Sequence, residues 1–163
     1  MQVLGGQHEI RTGLYTDAQR KRRDSSPWTL VQGILAPLQF LVFLISLGLV
    51  LRTLITGEGA ALANASVILK TMLLYTIMVT GSLWEKDVFG KYLFAPAFFW
   101  EDVVSFGVIA LHTAYLICLL NGYLSESGLM WLALVAYAAY VTNAAQFLLK
   151  LRAARLQQAG SAS

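Results

Sequence analysis

The spacing of the charges constrains this chain more than any other feature. Residues 25–51 carry none, nor do 103–125 or 127–149, and Gly59 to Trp84 is interrupted only by Lys70. Each run exceeds the roughly 18 apolar residues that mark a membrane-spanning helix. The pattern predicts an all-α integral membrane protein, a four-transmembrane-helix bundle with spans near 28–52, 62–84, 102–122 and 128–149. Backbone groups in lipid must be satisfied within the segment, which requires helices, and no alternating barrel pattern is present. Residues 1–27 then form a basic tail and 150–163 a second one. Composition agrees: 57% of residues are hydrophobic and 13% charged, against about a quarter charged in soluble domains. That balance excludes disorder. The single cysteine, Cys118, excludes a disulfide framework, a cysteine zinc site and an iron–sulfur cluster.

Local signals set the ends of the first span. Ser26 is placed to cap it, and Pro27 suits its first turn. Pro37 lies inside it, where a kink is expected. Thr56-Gly57-Glu58-Gly59 and Asn121-Gly122 with Ser125–Gly128 read as turns. Basic residues then fix the orientation. Arg11, Arg20, Lys21, Arg22 and Arg23 precede the first span, Lys86 and Lys91 follow the second, and Lys150, Arg152 and Arg155 follow the fourth; only Arg52 lies on the other side. By the positive-inside rule both termini and the 85–101 segment are cytoplasmic. The same rule accounts for the Arg20–Arg23 run without a nucleic-acid partner. Arg22-Arg23 fails as a twin-arginine signal because a full span follows with no cleavage-like site, so no removable leader is expected.

Polar chemistry collects at one place. Four of the nine acidic residues, Glu85, Asp87, Glu101 and Asp102, fall in a short window with six aromatics between Phe89 and Trp100. Such a segment suits the headgroup level, with rings in the interface and carboxylates within reach of water. Trp84-Glu85 ends one span and Trp100-Glu101 begins the next. Each span also carries a polar stripe: Gln32, Gln39 and Ser46; Asn64, Thr71, Tyr75, Ser82 and Glu85; Glu101, Ser105 and His112; Tyr137, Tyr140, Asn143 and Gln146. The bundle interior is the economical place for all four.

Each of these residues also has a plainer reading. Gln, Ser, Thr and Asn in spans mostly make interhelical hydrogen bonds, Trp84 and Trp100 suit an aromatic belt, and Asp87 beside Lys86 reads as a solvated charge. Lys70 is expected to snorkel outward, since a mid-bilayer charge costs about 2.5–3.5 kcal/mol on insertion scales. His8 sits in the polar tail and is expected to be inert. Glu85, Glu101 and His112 lie within or at the edge of spans, where ionisable groups are functional candidates by default. No dinucleotide fingerprint, Walker loop, zinc-protease motif or serine triad is present. Bis-histidine haem needs two intramembrane histidines, and only His112 qualifies. Carboxylate acid–base chemistry on an apolar substrate remains.

Several blocks carry a resemblance. They include Ser26-Pro27-Trp28-Thr29-Leu30-Val31-Gln32-Gly33, Met78-Val79-Thr80-Gly81-Ser82-Leu83-Trp84-Glu85-Lys86, Leu93-Phe94-Ala95-Pro96-Ala97-Phe98-Phe99-Trp100-Glu101-Asp102 and Ala138-Ala139-Tyr140-Val141-Thr142-Asn143. From Leu14 to about Leu156 the chain resembles the bacteriochlorophyllide 3-vinyl hydratases of photosynthetic bacteria (2-vinyl in older nomenclature). The resemblance implies a hydro-lyase of bacteriochlorophyll biosynthesis. It would add water to the C3 vinyl group of a (bacterio)chlorophyllide to give a 1-hydroxyethyl group. It implies no cofactor, since magnesium enters only within the pigment. It places the chain in the bacterial inner membrane, cytoplasmic or intracytoplasmic.

On that footing Glu85 and Glu101 are the expected acid/base pair, Asp102 an orienter or substitute, and His112 a second base or a ligand to the pigment magnesium. Lys86 or Lys91 would pair with the pigment propionate. Trp84, Phe98, Trp100 and Tyr75 would line the macrocycle. The partners are then the pigment and the lipid bilayer. A unit this small is also a candidate for a homodimer or for association with other pigment-biosynthesis enzymes. The rival class is a non-catalytic membrane pigment carrier or assembly factor, which would have no need of four clustered carboxylates.

Overall fold

The computed structural model describes residues 13–161, and His8 and Arg11 lie outside them. Five α-helices and one 3-10 turn make up the described residues: α1 Asp17–Ser25, α2 Pro27–Thr56, α3 Ala60–Phe89, the turn Pro96–Phe98, α4 Phe99–Asn121 and α5 Glu126–Ser161. Helices α2 to α5 are each long and apolar enough to cross a membrane. Among the described residues there is no strand.

The expected caps are in place. Ser26 Oγ accepts from the Trp28 amide at 3.3 Å with Pro27 in the first turn, and α2 runs unbroken through Pro37. Gly57, Gly90 and Gly122 end α2, α3 and α4 in the left-handed conformation, with φ of 73°, 82° and 66°. A side chain would strain those positions, so glycine marks where each span stops. The short turns make α2–α3 and α4–α5 antiparallel hairpins, the two most extensive pairings. The hairpins join along α2–α5 and α3–α4.

The bundle is patterned opposite to a water-soluble one. Large apolar side chains such as Leu30, Ile45, Ile55, Val79, Leu120 and Leu148 face outward. The interior holds Gln39, Ser46, Lys70, Thr71, Ser105, His112 and Asn143 beside Phe43, Val50, Tyr115 and Met130. Such a surface suits lipid, and hydrogen bonds then join helices across the interior. Ser46 Oγ contacts Tyr137 Oη at 2.6 Å and Ser66 Oγ at 2.7 Å. Tyr75 Oη meets Thr113 Oγ1 at 2.5 Å, and Tyr115 donates to Asn64. Lys70 does not snorkel: it is fully buried, its ammonium 3.5 Å from the centre of the Tyr140 ring. Its helical phase points it at α5, and that decides its position more than its depth does.

The basic N-terminal segment is itself ordered. Thr16 and Gln19 form a capping box at the start of α1. Arg22 reaches Asp87 at 2.9 Å, tying α1 to the last turn of α3. Tyr15 stacks on Phe89 at 5.7 Å, and the Arg23 guanidinium lies 4.7 Å from the Tyr15 ring centre. Burial pushes the Tyr15 hydroxyl above its ordinary pKa of 10.0, with Arg23 opposing the shift. The neutral phenol is therefore the form that docks. Its contribution is fully present below pH 10 and fades as pH rises through the folded value. In an ultraviolet titration, the phenolate signal missing from Tyr15→Phe is expected to appear above pH 10. A signal at or below 10 would mean that the latch is open in solution.

Candidate functional site

The connection between α3 and α4 folds back over their ends, and three carboxyl groups meet beneath it. Glu85 comes from the end of α3, and Glu101 and Asp102 from the first turn of α4; they are 4%, 6% and 3% exposed. Asp102 Oδ2 accepts from the Phe94 amide at 2.9 Å, and Glu85 Oε2 from the Ala95 amide at 3.3 Å. The Glu85 and Asp102 carboxyl groups face each other closely enough to interact directly. Among the described residues neither forms an ion pair.

Glu101 is held differently. Both of its oxygens lie 2.9 Å from Lys150 Nζ, which also donates to the Ala97 carbonyl. Its main-chain carbonyl accepts from Ser105 at 2.8 Å and from Asn143 at 3.0 Å. The Ser105 hydroxyl lies 2.9 Å from Asn143 Oδ1. The structure thus brings Glu85 together with Asp102 and ties Glu101 to the end of α5.

The loop pays for this arrangement at Phe94, the one described non-glycine residue with positive φ, at 59°. A bulky residue there is an outlier, and such strain persists only where surrounding contacts hold it. Here the contact is the amide donated to Asp102. The same conformation turns the Phe94 ring outward, where it stacks on Phe106 at 5.5 Å and tilts against Phe99 at 5.6 Å. Phe99 meets Trp100 edge-on at 5.3 Å. These four rings are all partly exposed and form one aromatic face beside the carboxyl pair.

Other singled-out residues lie elsewhere. Phe98 is buried, packed on Trp84 at 5.6 Å and on Phe147 at 5.7 Å. Trp84 donates its indole N–H to Thr29 at 2.9 Å. Lys86 donates to the Gly90 carbonyl at 3.1 Å and lies 5.3 Å from the Tyr92 ring centre. Lys91 is exposed at the loop. Tyr75 is a bridge between α3 and α4 within the span. His112 is fully buried, Nδ1 2.8 Å from the Val108 carbonyl, about 15 Å along α4 from Asp102. The carboxyl cluster and His112 are therefore separate. Lys150 and Phe106 were not among the expected site residues, and Phe94 was expected only as one ring of the aromatic segment 89–100. Lys150 was legible, since it continues the α5 stripe of Tyr140, Asn143 and Gln146 by one more turn.

Comparison with known proteins gives the family. The family profile described as 2-vinyl bacteriochlorophyllide hydratase matches residues 15–153. This chain belongs to the 2-vinyl bacteriochlorophyllide hydratase family. A 2-vinyl bacteriochlorophyllide hydratase of Cereibacter sphaeroides is 72% identical over 144 residues, covering 88% of this chain and 89% of that protein. The hydratase of Rhodobacter capsulatus is 65% identical over 153 residues, covering 94% and 89%. No solved structure matches the chain. In this hydratase-family chain the carboxyl cluster stands at the most polar end of the bundle.

The Lys150–Glu101 contact yields a stability prediction. Lys150→Met leaves a buried carboxylate without its cation and is expected to cost about 1–3 kcal/mol, tempered by the partial exposure of Lys150. Glu101→Gln in the same chain is expected to recover most of that loss. A double-mutant cycle on thermal unfolding in detergent measures the coupling, and zero coupling would show the pair to be incidental.

Proposed function

We infer that this chain is a membrane hydratase that adds water to the vinyl group of a bacteriochlorophyllide. We further propose that the buried Glu85–Asp102 pair carries the proton chemistry. The observation that carries the reading is this pair, set side by side, held by two loop amides and flanked by an exposed aromatic face, in a chain of the hydratase family. Hydrating an alkene needs a proton donor and then a base. Two carboxyl groups set side by side can share one proton, so the pair offers both roles at once. The donor protonates the terminal vinyl carbon. Positive charge then develops on the carbon next to the macrocycle, which delocalises it, and a neighbouring carboxylate stabilises it. Water attacks that carbon, and the carboxylate takes the proton that water releases. The two steps restore the pair and are redox-neutral overall, so the reaction needs no electron carrier.

Glu101 stays in reserve as a second base, with its charge balanced by Lys150. The macrocycle lies on the exposed rings of Phe94, Phe99, Trp100 and Phe106, and Trp84, Phe98 and Tyr75, packed elsewhere in the bundle, support the fold around it. Lys91, exposed and without an ion-pair partner among the described residues, meets the pigment propionate, and Lys86 stands one turn away. The distribution of Lys and Arg puts both termini and this loop on the cytoplasmic side of the bacterial inner membrane. Protease added to inverted vesicles is expected to cut the 90–95 loop, and protection there would reverse the topology.

The direct test incubates purified protein with a magnesium 3-vinyl chlorin lacking the alcohol tail, without reductant or nucleotide. Gain of one water and a blue shift of the red absorption band are expected. Glu85→Gln and Asp102→Asn should each lower turnover by about 10²–10⁴-fold with pigment binding kept, and Glu101→Gln should lower it far less. A larger loss in Glu101→Gln than in Asp102→Asn would return the acid/base pair to Glu85 and Glu101. Pigment binding without turnover in the unaltered protein would favour a carrier.

A further inference from the structure

A second polar cluster sits in the middle of the bundle, away from the carboxyl groups. Lys70 from α3 and Gln39 from α2 meet Tyr140 of α5, and His112 from α4 lies beside Lys70 and against Tyr137, three residues before Tyr140. Lys70 and His112 are fully buried and Gln39 is 5% exposed. The Lys70 ammonium lies over the Tyr140 ring. Gln39 lies beside the Tyr140 hydroxyl, and Lys70 is close enough to act electrostatically on His112. Yet Lys70 Nζ, His112 Nε2 and Gln39 Oε1 have no hydrogen-bond partner in the protein. Buried polar atoms are almost always satisfied, so three left open in one part of the interior call for a ligand.

Donor and acceptor counting identifies it. The Val108 carbonyl can only accept, so His112 Nδ1, 2.8 Å away, carries the ring proton. In the neutral ring Nε2 is then a bare acceptor. Gln39 Oε1 is an acceptor as well, and Lys70 Nζ is a donor only. An anion would satisfy Lys70 but leave Nε2 and Oε1 unpaired. A metal cation would suit Nε2 and Oε1 but would be repelled by the ammonium. A ligand that both donates and accepts satisfies all three, and water is the smallest such molecule.

We propose that Lys70, His112 and Gln39 form an internal binding site for water at the centre of the membrane span. Polar groups continue from it in both directions. One turn along α5 from Tyr140, Asn143 meets Ser105 and reaches the Glu101 carbonyl. On the other side Tyr137, whose ring centre is 5.8 Å from that of His112, leads to Ser46 and Ser66. The site rests on these contacts alone and does not depend on the hydratase reading.

Hydroxyl-radical footprinting of the full chain in detergent, run in heavy-oxygen water, tests it directly. Radicals born from bound water label the side chains beside it. Tyr140 and His112 are expected to label several-fold faster than Tyr115, which is equally buried but already hydrogen-bonded to Asn64. Lys70→Met and Gln39→Leu should each remove most of that label, with buried Tyr115 still protected as the mark of a folded chain. Labelling of Tyr140 and His112 no faster than Tyr115 would mean that the site is dry and overturn the proposal. Labelling that persists in both folded variants would overturn it equally.

Discussion

Lipid on the outside forces this chain to place its polar groups on the inside, and the other features of the fold follow. In water, apolar burial would drive the helices together. In a bilayer, the outward leucines and isoleucines gain nothing by leaving the surface. What joins α2 to α5 is a set of specific contacts: Ser46 with Tyr137, Tyr75 with Thr113, Tyr115 with Asn64, and Ser105 with Asn143. Each spans two helices and fixes their rotation. The same requirement makes buried carboxyl groups tolerable at the α3–α4 end, because loop amides and an ammonium are aimed at them.

That end shows how backbone and side chains support one another. Phe94 and Ala95 lie where a chain leaving one helix must turn back to start another. Their amides have no helical partner there, and Asp102 and Glu85 supply one. The left-handed conformation at Phe94 costs of order 1–3 kcal/mol, and the buried hydrogen bond to Asp102 offsets part of it. The same turn of the backbone sends the Phe94 ring out onto Phe99 and Phe106. A constraint on two amides therefore also creates the aromatic face.

The helices were legible because their signals are local. Charge-free runs mark the four helices long enough to span, and Ser26-Pro27, Gly57, Gly90 and Gly122 mark ends. The gathering of acidic residues in one window was legible too. What the window hid was the pairing within it. Glu101 and Asp102 are neighbours in sequence, but on a helix they point about 100° apart. Which one faces Glu85 depends on how the 90–98 connection rotates α4, and no short-range signal encodes that. Lys70 was hidden for a related reason. Its depth suggested an outward reach, but its phase on α3 turns it toward Tyr140. The order in α1 was hidden because its contacts, Arg22 with Asp87 and Tyr15 with Phe89, join residues more than sixty positions apart.

Three buried carboxyl groups within one loop would repel one another strongly if all carried charge in the same way. The structure divides them. Glu101 has an ammonium against both oxygens, and its main chain is fixed by Ser105 and Asn143. Its charge is balanced and its geometry over-determined, which leaves it less free than the other two to exchange a proton. Glu85 and Asp102 have amide donors and each other. In the proposed hydratase role, a proton shared by this pair would be the one given to the vinyl carbon, and the carboxylate left behind would face the charge that forms there. An ammonium bound directly to the pair would hold both carboxylates in the charged form and leave no proton to give. Lys150 instead sits against both oxygens of Glu101, which leaves Glu85 and Asp102 without an ion-pair partner among the described residues.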